Sequence, residues 1–258
     1  MKPDWLIPQW PVPAQVRAVC TTRQGGVSAA PYASLNLGEH VGDDPQAVAA
    51  NRAVLAQALT ARPVFLQQVH GTGVAVLAGD TPDAEAADGC VSAQRGLACT
   101  IMVADCLPVL MTTLSGEVVG AAHAGWRGLA AGVLEATLQQ LWQQTHAKTG
   151  AAHAGASDTL VWLGPCIGAQ AFEVGSEVRA AFVAQQPQAQ ECFKPLATGK
   201  FLADLQGLAR QRLQALGVVN VYGNDGSAPW CSVGNPLSFF SHRRDRVSGR
   251  MAACIWLE

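Results

Sequence analysis

Short apolar runs alternate with amphipathic segments along the chain, and this alternation limits the possible folds more than any other feature. The runs LACTIMVA (97–104), CLPVLMTT (106–113) and GEVVGAA (116–122) are typical of buried strands. The stretch 128–147, GLAAGVLEATLQQLWQQTHA, has apolar residues at helical spacing instead. Such alternation predicts an α/β fold with mixed sheets. We find neither a domain boundary nor a true repeat, so we expect residues 1–258 to form a single domain.

Further elements follow from local signals. In GDDPQAVAANRAVLAQAL (42–59), Asp43 or Asp44 is a suitable N-cap and Pro45 a suitable first residue, which predicts a helix. The run VFLQQVHGTGVAVLA (64–78) predicts two strands around a Gly-Thr-Gly turn. We expect short strands at FFSH (239–242) and RMAACIWLE (250–258) near the C-terminus.

Hydropathy and cysteine usage favour a cytoplasmic protein. No window of 18 uncharged apolar residues exists, so we expect no membrane span. The N-terminal residues MKPDWLIPQWPVP contain prolines and an aspartate where a signal peptide needs an unbroken apolar region. The eight cysteines include no C-x-x-C pair, which disfavours structural zinc fingers, and a chain of this length does not need disulfides.

Charge excludes a general nucleic-acid surface, because the formal net charge is −2. One dense basic cluster stands out, SHRRDRVSGR (241–250). Its arginines have two interpretations: a salt-bridged surface, or a local anion site, since guanidinium groups match phosphate geometry. The arginines of this cluster are Arg243, Arg244, Arg246 and Arg250.

The pentapeptide AAHAG occurs twice, at 121–125 and at 151–155. His123 ends a strand-like run and precedes Gly-Trp-Arg-Gly, a turn that leads into a helix, where α/β folds place reactive groups. His153 is surrounded by alanine, glycine and serine in a predicted loop from 148 to 159, with nothing to fix its geometry. The context therefore favours His123 as the functional histidine.

A hairpin brings a cysteine towards His123. If 106–113 and 117–123 pair around a Ser115–Gly116 turn, residue 123 lies opposite residue 108, and Cys106 lies two residues along on the same face. A turn at 116–117 would move Cys106 further away, and both registers remain open. His70 lies on the Gly-Thr-Gly turn, so His70, Cys106 and His123 each lie at the end of a predicted strand. Three protein ligands with an open position are the pattern of catalytic zinc, although the three residues could also be unrelated.

Eight motifs, in order along nearly the whole chain, resemble the laccase-domain (YfiH-like) family. They are TTRQGGVS, APYASLNLGEHVGDD, QVHG, ADG, ADCLPVL, HAGWRG, GPCIG and FFSHRRD. The resemblance implies that His70, Cys106 and His123 bind zinc and take part in catalysis. It also implies a four-layer α/β sandwich. The sequence departs from the family pattern at Phe172, where a tyrosine is expected, and at Cys231–Ser232, where Cys-Thr is commoner.

The activity implied by the resemblance is phosphorolysis of adenosine, inosine and S-methyl-5′-thioadenosine, with deamination of adenosine as a second activity. Phosphate then needs a cationic or N–H partner. We predict Arg127, in the turn after His123, as the first candidate and the Gly125–Gly128 backbone N–H groups as the second. Asp105 adjoins Cys106, and we expect it to hold a loop or a histidine proton rather than act as a base.

Four other functions can be weighed on the same residues. A multi-centre copper oxidase needs many histidines in His-x-His pairs, whereas this chain has six histidines and no such pair. A single copper centre with Met102 or Met111 as an axial ligand is a weaker alternative to zinc. A cysteine hydrolase or amidase acting on cell-wall precursors would use Cys106 as nucleophile and His123 as base. A binding module without catalysis is the remaining alternative.

Overall fold

Two mixed β-sheets packed face to face form the centre of the molecule. The computed structural model describes residues 4–150, 155–197 and 199–258, so His153 lies outside the described residues. The strands are β1 (Val16–Cys20), β2 (Arg62–Phe65), β3 (Val74–Val76), β4 (Gly89–Ser92), β5 (Leu97–Val103), β6 (Leu107–Thr113), β7 (Val119–Ala124), β8 (Thr159–Leu163), β9 (Glu173–Val174), β10 (Phe193–Pro195), β11 (Phe201–Ala203), β12 (Asn220–Gly223) and β13 (Met251–Leu257). The helices are α1 (Pro45–Leu59), α2 (Trp126–Ala131), α3 (Val133–Thr149), α4 (Ser176–Val183), α5 (Leu205–Ala215) and α6 (His242–Asp245).

Both central sheets combine parallel and antiparallel pairs. The larger has six strands in the order β12-β8-β6-β7-β4-β3, with parallel pairs at its two edges. The smaller has four strands in the order β1-β13-β5-β2, of which only β2 and β5 run parallel. A third sheet, β10-β11-β9, is short and antiparallel. The predicted mixed α/β class is confirmed.

Three apolar clusters hold the layers together. One lies between the two central sheets and includes Ile101 and Trp162. A second joins the other face of the six-stranded sheet to α2, α3, α4 and α5. In the third, Leu55 and Leu59 of α1 pack on the outer face of the four-stranded sheet. The order is therefore helix, sheet, sheet, helices, because each sheet has one face against its partner and one under helices.

Local predictions and the structure agree at α1 and differ at two other places. Helix α1 begins at Pro45, and the Asp44 carboxylate accepts a hydrogen bond from the Gln46 N–H at 3.0 Å. The predicted helix 128–147 is two helices, since Gly132 has a φ of 105° and ends α2. The predicted strand 239–242 is wrong: Ser241 caps the short helix α6 there, accepting from the Arg244 N–H.

The β6–β7 hairpin has the first of the two predicted registers, with Pro108 opposite His123. Strand β6 begins at Leu107, so Cys106 lies just before the ladder rather than in it. No helix in the described ranges is long and apolar enough to cross a membrane. All eight cysteines are free thiols, and Cys20, Cys99 and Cys254 are buried as predicted.

Candidate metal centre

The fold brings together His70, Cys106 and His123 from three separate segments. Their possible ligand atoms all lie within 4.8 Å of one another. The Cys106 Sγ is 3.9 Å from the His70 Nε2, and the two imidazole rings are nearly perpendicular, with centroids 4.8 Å apart. No other group of three or more His, Cys, Asp or Glu side chains in the described residues has this geometry.

His123 is held by the sheet. It lies in β7, is 3% exposed, and its backbone N–H donates to the Asp88 carbonyl at 2.7 Å. Its ring Nδ1 is 2.8 Å from the Asp88 Oδ1. A carboxylate partner on one ring nitrogen fixes the tautomer and leaves the other, Nε2, available as a ligand.

His70 is held by the same carboxylate through its backbone. Asp88, fully buried, accepts hydrogen bonds from the N–H groups of Val69 (3.1 Å), His70 (2.9 Å) and Gly71 (2.7 Å). These bonds support the left-handed conformation of His70, whose φ is 59°. Asp88 therefore positions both histidines, one by its ring and one by its main chain.

The charged forms of Asp88, Cys106 and His123 stabilise one another. Burial raises the pKa of Asp88, but the hydrogen bonds from His123 and from the backbone outweigh it, so the pKa is lowered overall. Burial also raises the pKa of the Cys106 thiol, and the neighbouring His123 and His70 bring it down to about 6. Burial lowers the pKa of His123, while Cys106 and Asp88 raise it to about 9. Cys106 is therefore a thiolate at neutral pH, the form that binds metals or attacks electrophiles.

Gly125, two residues after His123, must be a glycine because His70 and Cys106 approach it closely. A Cβ on Gly125 would lie 2.9 Å from the His70 Cδ2 and 3.0 Å from the Cys106 Sγ. A Cβ on Gly128 would lie 2.9 Å from the Gly71 carbonyl oxygen. The glycines of HAGWRG thus let α2 start directly against the group. Because α2 has only six residues, its backbone N–H groups are a weak anion site.

The donor set fits a metal ion with an open coordination position. Two imidazole nitrogens and a thiolate are the ligands of catalytic zinc sites and also of copper electron-transfer sites. Of the predicted axial ligands for copper, Met111 is fully buried in the cluster under the helices, away from the group. Met102 lines the cavity beside it. The donor chemistry is thus compatible with either ion and has an obvious copper axial candidate only in Met102.

Asp105 fastens loops, as predicted, but does not hold a histidine proton. Its Oδ1 accepts from the Ser232 Oγ and its Oδ2 from the Arg243 N–H, both at 2.6 Å. Its φ of 88° ends the extended backbone after β5. The carboxylate that binds the ring of His123 is that of Asp88. Sequence reasoning missed this role, although the motif ADG (87–89) contained the residue, because nothing in its spacing connects it to either histidine.

Cys106 is shared by the linings of two cavities. The smaller, of about 160 Å³, has aromatic and cationic walls: Ala104, Asp105, Cys106, Trp126, Ile167, Phe172, Leu205, His242, Arg243 and Arg246. The larger, of about 330 Å³, is lined by His40, Gln68, His70, Met102, Val103, Ala104, Cys106, His123, His242 and Arg250. The departure from the family pattern at Phe172 therefore lies in a cavity wall.

The arginines of the basic cluster (241–250) and Arg127 lie in different surroundings. Arg244 is structural, because its guanidinium donates to the carbonyls of Ser232 and Phe239 and pairs with Asp245. Arg243, Arg246 and Arg250 line the two cavities. Arg127 is exposed, with its guanidinium 4.5 Å from the centre of the Trp126 ring, and belongs to neither lining. The anion-site interpretation of the cluster thus has a geometric basis that Arg127 lacks.

Comparison with known proteins connects this geometry to a family. The family model described as multi-copper polyphenol oxidoreductase laccase matches residues 17–258. A Pseudomonas aeruginosa protein named purine nucleoside phosphorylase is 51% identical over 255 residues, covering 98% of each chain. The Escherichia coli strain K12 protein named purine nucleoside phosphorylase YfiH is 46% identical over 254 residues, again covering 98% of each chain.

Solved structures have the same fold over nearly the full chain. The Neisseria meningitidis protein NMB0706 has a TM-score of 0.88 at 45% identity and covers 99% of both chains. YlmD from Geobacillus stearothermophilus has a TM-score of 0.87 at 33% identity, covering 100% of this chain and 97% of its own.

Proposed function

This chain belongs to the family described as multi-copper polyphenol oxidoreductase laccase, and on that premise we propose that it is a zinc-dependent purine nucleoside phosphorylase. The proposed substrates are adenosine, inosine and S-methyl-5′-thioadenosine, with deamination of adenosine as a side activity. The observation that carries the proposal is the His70, Cys106 and His123 group, which opens into two cavities suited to a base and an anion. The relatives named purine nucleoside phosphorylase, at 51% and 46% identity, support the reaction class.

We assign the metal to His70 Nε2, Cys106 Sγ and His123 Nε2. Bound there, zinc would supply a Lewis acid with an open position for an oxygen of the substrate or of water. Asp88 binds the Nδ1 proton of His123, so the atom that a bound metal would meet is Nε2, which would give up its own proton on coordination. The Cys106 thiolate supplies negative charge, and the surrounding β-strands keep the group in place.

The phosphorolysis balances without a redox partner. An oxygen of hydrogen phosphate forms a bond to ribose C1′ as the bond from C1′ to purine N9 breaks. The electron pair of the broken bond goes to the purine, and the proton lost by hydrogen phosphate is matched by one taken up by the base. In the side reaction, water adds at purine C6 and ammonia leaves. The chain's part in both is to bind the partners, align them and exclude competing water.

The decisive experiment incubates the purified protein with each nucleoside, with and without phosphate, and identifies the products by mass. We expect adenine and ribose 1-phosphate from adenosine only when phosphate is present. Release of free ribose, or no turnover of any nucleoside, would contradict the proposal. Elemental analysis should find about one zinc per chain, since the residues that the structure describes assemble one ligand set.

One observation favours a second candidate function. The Cys106 thiolate lies next to His123, as in a cysteine hydrolase or amidase, which would act on amide bonds such as those of cell-wall precursors. A covalent cysteine nucleophile retains activity when metal is removed, whereas the proposed phosphorylase loses it. Activity that survives exhaustive chelation would therefore select the hydrolase. A charge-transfer band in copper-loaded protein would instead support a single-copper oxidase of phenols, which the family description suggests.

The proposed partners are small molecules, namely purine nucleosides and phosphate, and we propose neither nucleic acid nor membrane as a partner. We also propose a cytoplasmic location, since the eight free thiols suit a reducing compartment.

A further inference from the structure

The larger cavity beside Cys106 has a guanidinium group, that of Arg250, in its lining and no acidic side chain opposite it. Its described lining contains Arg250 and four histidines but no carboxylate. By contrast, the lining of the smaller cavity combines Arg243 and Arg246 with the carboxylate of Asp105. A third cavity, of about 140 Å³, sets Glu39 and Asp83 against Arg52, with ion pairs at 2.8 Å and 3.8 Å. Of these three cavities, the larger one beside Cys106 is the best suited to an anion.

Arg250 is the fixed cation of this cavity. Its backbone N–H donates to the Asn36 Oδ1 at 2.8 Å, and its Nη1 donates to the carbonyls of Ser248 and Gly249 at 2.8 Å and 3.0 Å. These hydrogen bonds hold the Arg250 side chain, which forms part of the cavity lining. It is half-buried, and within the described ranges it forms no salt bridge with a carboxylate, unlike Arg52, Arg212 and Arg244. A partly desolvated guanidinium without a carboxylate partner is stabilised by a bound anion.

The smaller cavity suits the other half of the substrate. Trp126 and Phe172 offer aromatic surfaces, and Ile167 and Leu205 complete an apolar wall. A purine ring stacks well on such surfaces. The linings of the two cavities share Ala104, Cys106 and His242, so the cavities meet beside the metal-binding group.

The reaction itself requires two compartments. In a displacement at ribose C1′, the base leaves from one side of the carbon and the phosphate oxygen arrives from the other. The sugar must therefore lie between a site for the base and a site for the anion. Two cavities that meet at Cys106, one with aromatic walls and one with an arginine and no carboxylate in its lining, satisfy this requirement.

We propose that Arg250 binds the phosphate co-substrate in the larger cavity, while the purine base occupies the cavity walled by Trp126 and Phe172. This assignment rests on the proposed phosphorylase function and gives the phosphate to the basic cluster rather than to Arg127. It also divides the kinetic effects: Arg250 governs the KM for phosphate, and Trp126 governs the KM for the nucleoside.

The test measures both KM values in Arg250→Gln, Arg250→Lys and Trp126→Leu. We expect Arg250→Gln to raise the KM for phosphate roughly tenfold or more, since hydrogen bonds to a charged group are lost, with the nucleoside KM changed little. Arg250→Lys keeps the charge and should fall between Arg250→Gln and the wild type. Trp126→Leu should raise the nucleoside KM and leave that for phosphate near the wild-type value. Arg95→Gln, on an exposed turn between β4 and β5, controls for the lost unit of charge.

Calorimetric titration with inorganic phosphate, without nucleoside, adds a readout that does not depend on turnover. Binding should be present in the wild type and in Arg95→Gln and weakened in Arg250→Gln. If Arg250→Gln does not fold, Arg250→Lys and Trp126→Leu decide the assignment by the same KM values. The assignment is overturned if both Arg250 variants keep the wild-type KM for phosphate, if Trp126→Leu raises that KM instead, or if Arg127→Gln raises it more than Arg250→Gln does. If the wild type forms no ribose 1-phosphate at all, it is the proposed function that fails.

Discussion

The two copies of AAHAG end in glycines with opposite surroundings. Gly125 is buried at the start of α2, and a Cβ there would press on His70 and Cys106. Gly155 has an extended backbone with a φ of −150°, and a Cβ there would meet nothing within 4 Å. Identical pentapeptides thus differ because one is the end of a strand inside a sheet. What a short motif does is decided by the neighbours that the fold brings to it.

The surroundings of the first copy come from distant parts of the chain. Pro108 lies opposite His123 in the hairpin, Asp88 holds the ring of His123, and the turn with His70 packs against Gly125. Each of these contacts can be removed singly, while the second copy supplies the matched control.

The largest expected effect separates the two histidines. His123→Ala should abolish nucleoside turnover and lower zinc affinity by more than the roughly 10- to 100-fold typical of losing an outer hydrogen-bond partner, because a direct ligand is lost. His153→Ala should retain both, because its sequence context has nothing to fix its geometry, and we expect its stability to change by less than about 0.5 kcal/mol. Zinc content, turnover and circular dichroism of both variants check this. Equal losses in the two variants would show that the context of the first copy does not matter.

Asp88→Asn should have the next largest effect. The substitution keeps the size of the side chain but replaces the carboxylate that accepts from the His123 ring and from the His70 backbone. We expect zinc affinity to fall roughly 10- to 100-fold, as for other outer partners of metal-binding histidines. Competition with a chromogenic chelator measures it.

Asp105→Asn is the control for that variant, since Asp105 also accepts two hydrogen bonds but holds loops rather than histidines. We expect it to lose about 1–3 kcal/mol of stability with zinc affinity unchanged. Similar zinc affinities in the two variants would argue against a special role for Asp88.

Gly125→Ala should have a smaller effect. The added methyl group forces His70 or Cys106 to shift, at a cost of about 1 kcal/mol or more, which corresponds to roughly a fivefold loss of zinc affinity. Gly155→Ala, in the second copy, should leave zinc affinity and melting temperature unchanged within error. A fall in zinc affinity for Gly155→Ala as large as that for Gly125→Ala would remove the distinction between the copies.

Sequence predicted those parts of the site that depend on local rules. Strand alternation allowed two hairpin registers, of which the first is the observed one, and helix α1 followed from its capping aspartate and proline. Asp88 could not be assigned, because a carboxylate that joins two remote segments leaves no periodic trace in the chain. The aromatic residues of FFSH favoured a strand, but a serine cap and tertiary contacts gave a helical turn instead.

The location of the arginines that we propose for phosphate also depends on tertiary structure. Proximity to His123 in sequence favoured Arg127, whose side chain lies over Trp126 on the surface. Arg250, more than a hundred positions away, lines the cavity with His123 because β13 runs through the middle of its sheet. Contacts of this range follow from strand order and not from spacing.

The central position of β13 has a consequence for the order in which the chain folds as it is synthesised. In the four-stranded sheet, β13 lies between β1 and β5, pairing Val16 with Leu257 and Val103 with Met251. Strand β1 therefore leaves the ribosome early and has no partner in the sheet until residues 251–257 have emerged. Contacts of such sequence separation slow folding and leave strand edges exposed in the meantime. The nascent chain thus exposes the edges of β1 and β5 until β13 is made, and Arg250 directly precedes that strand.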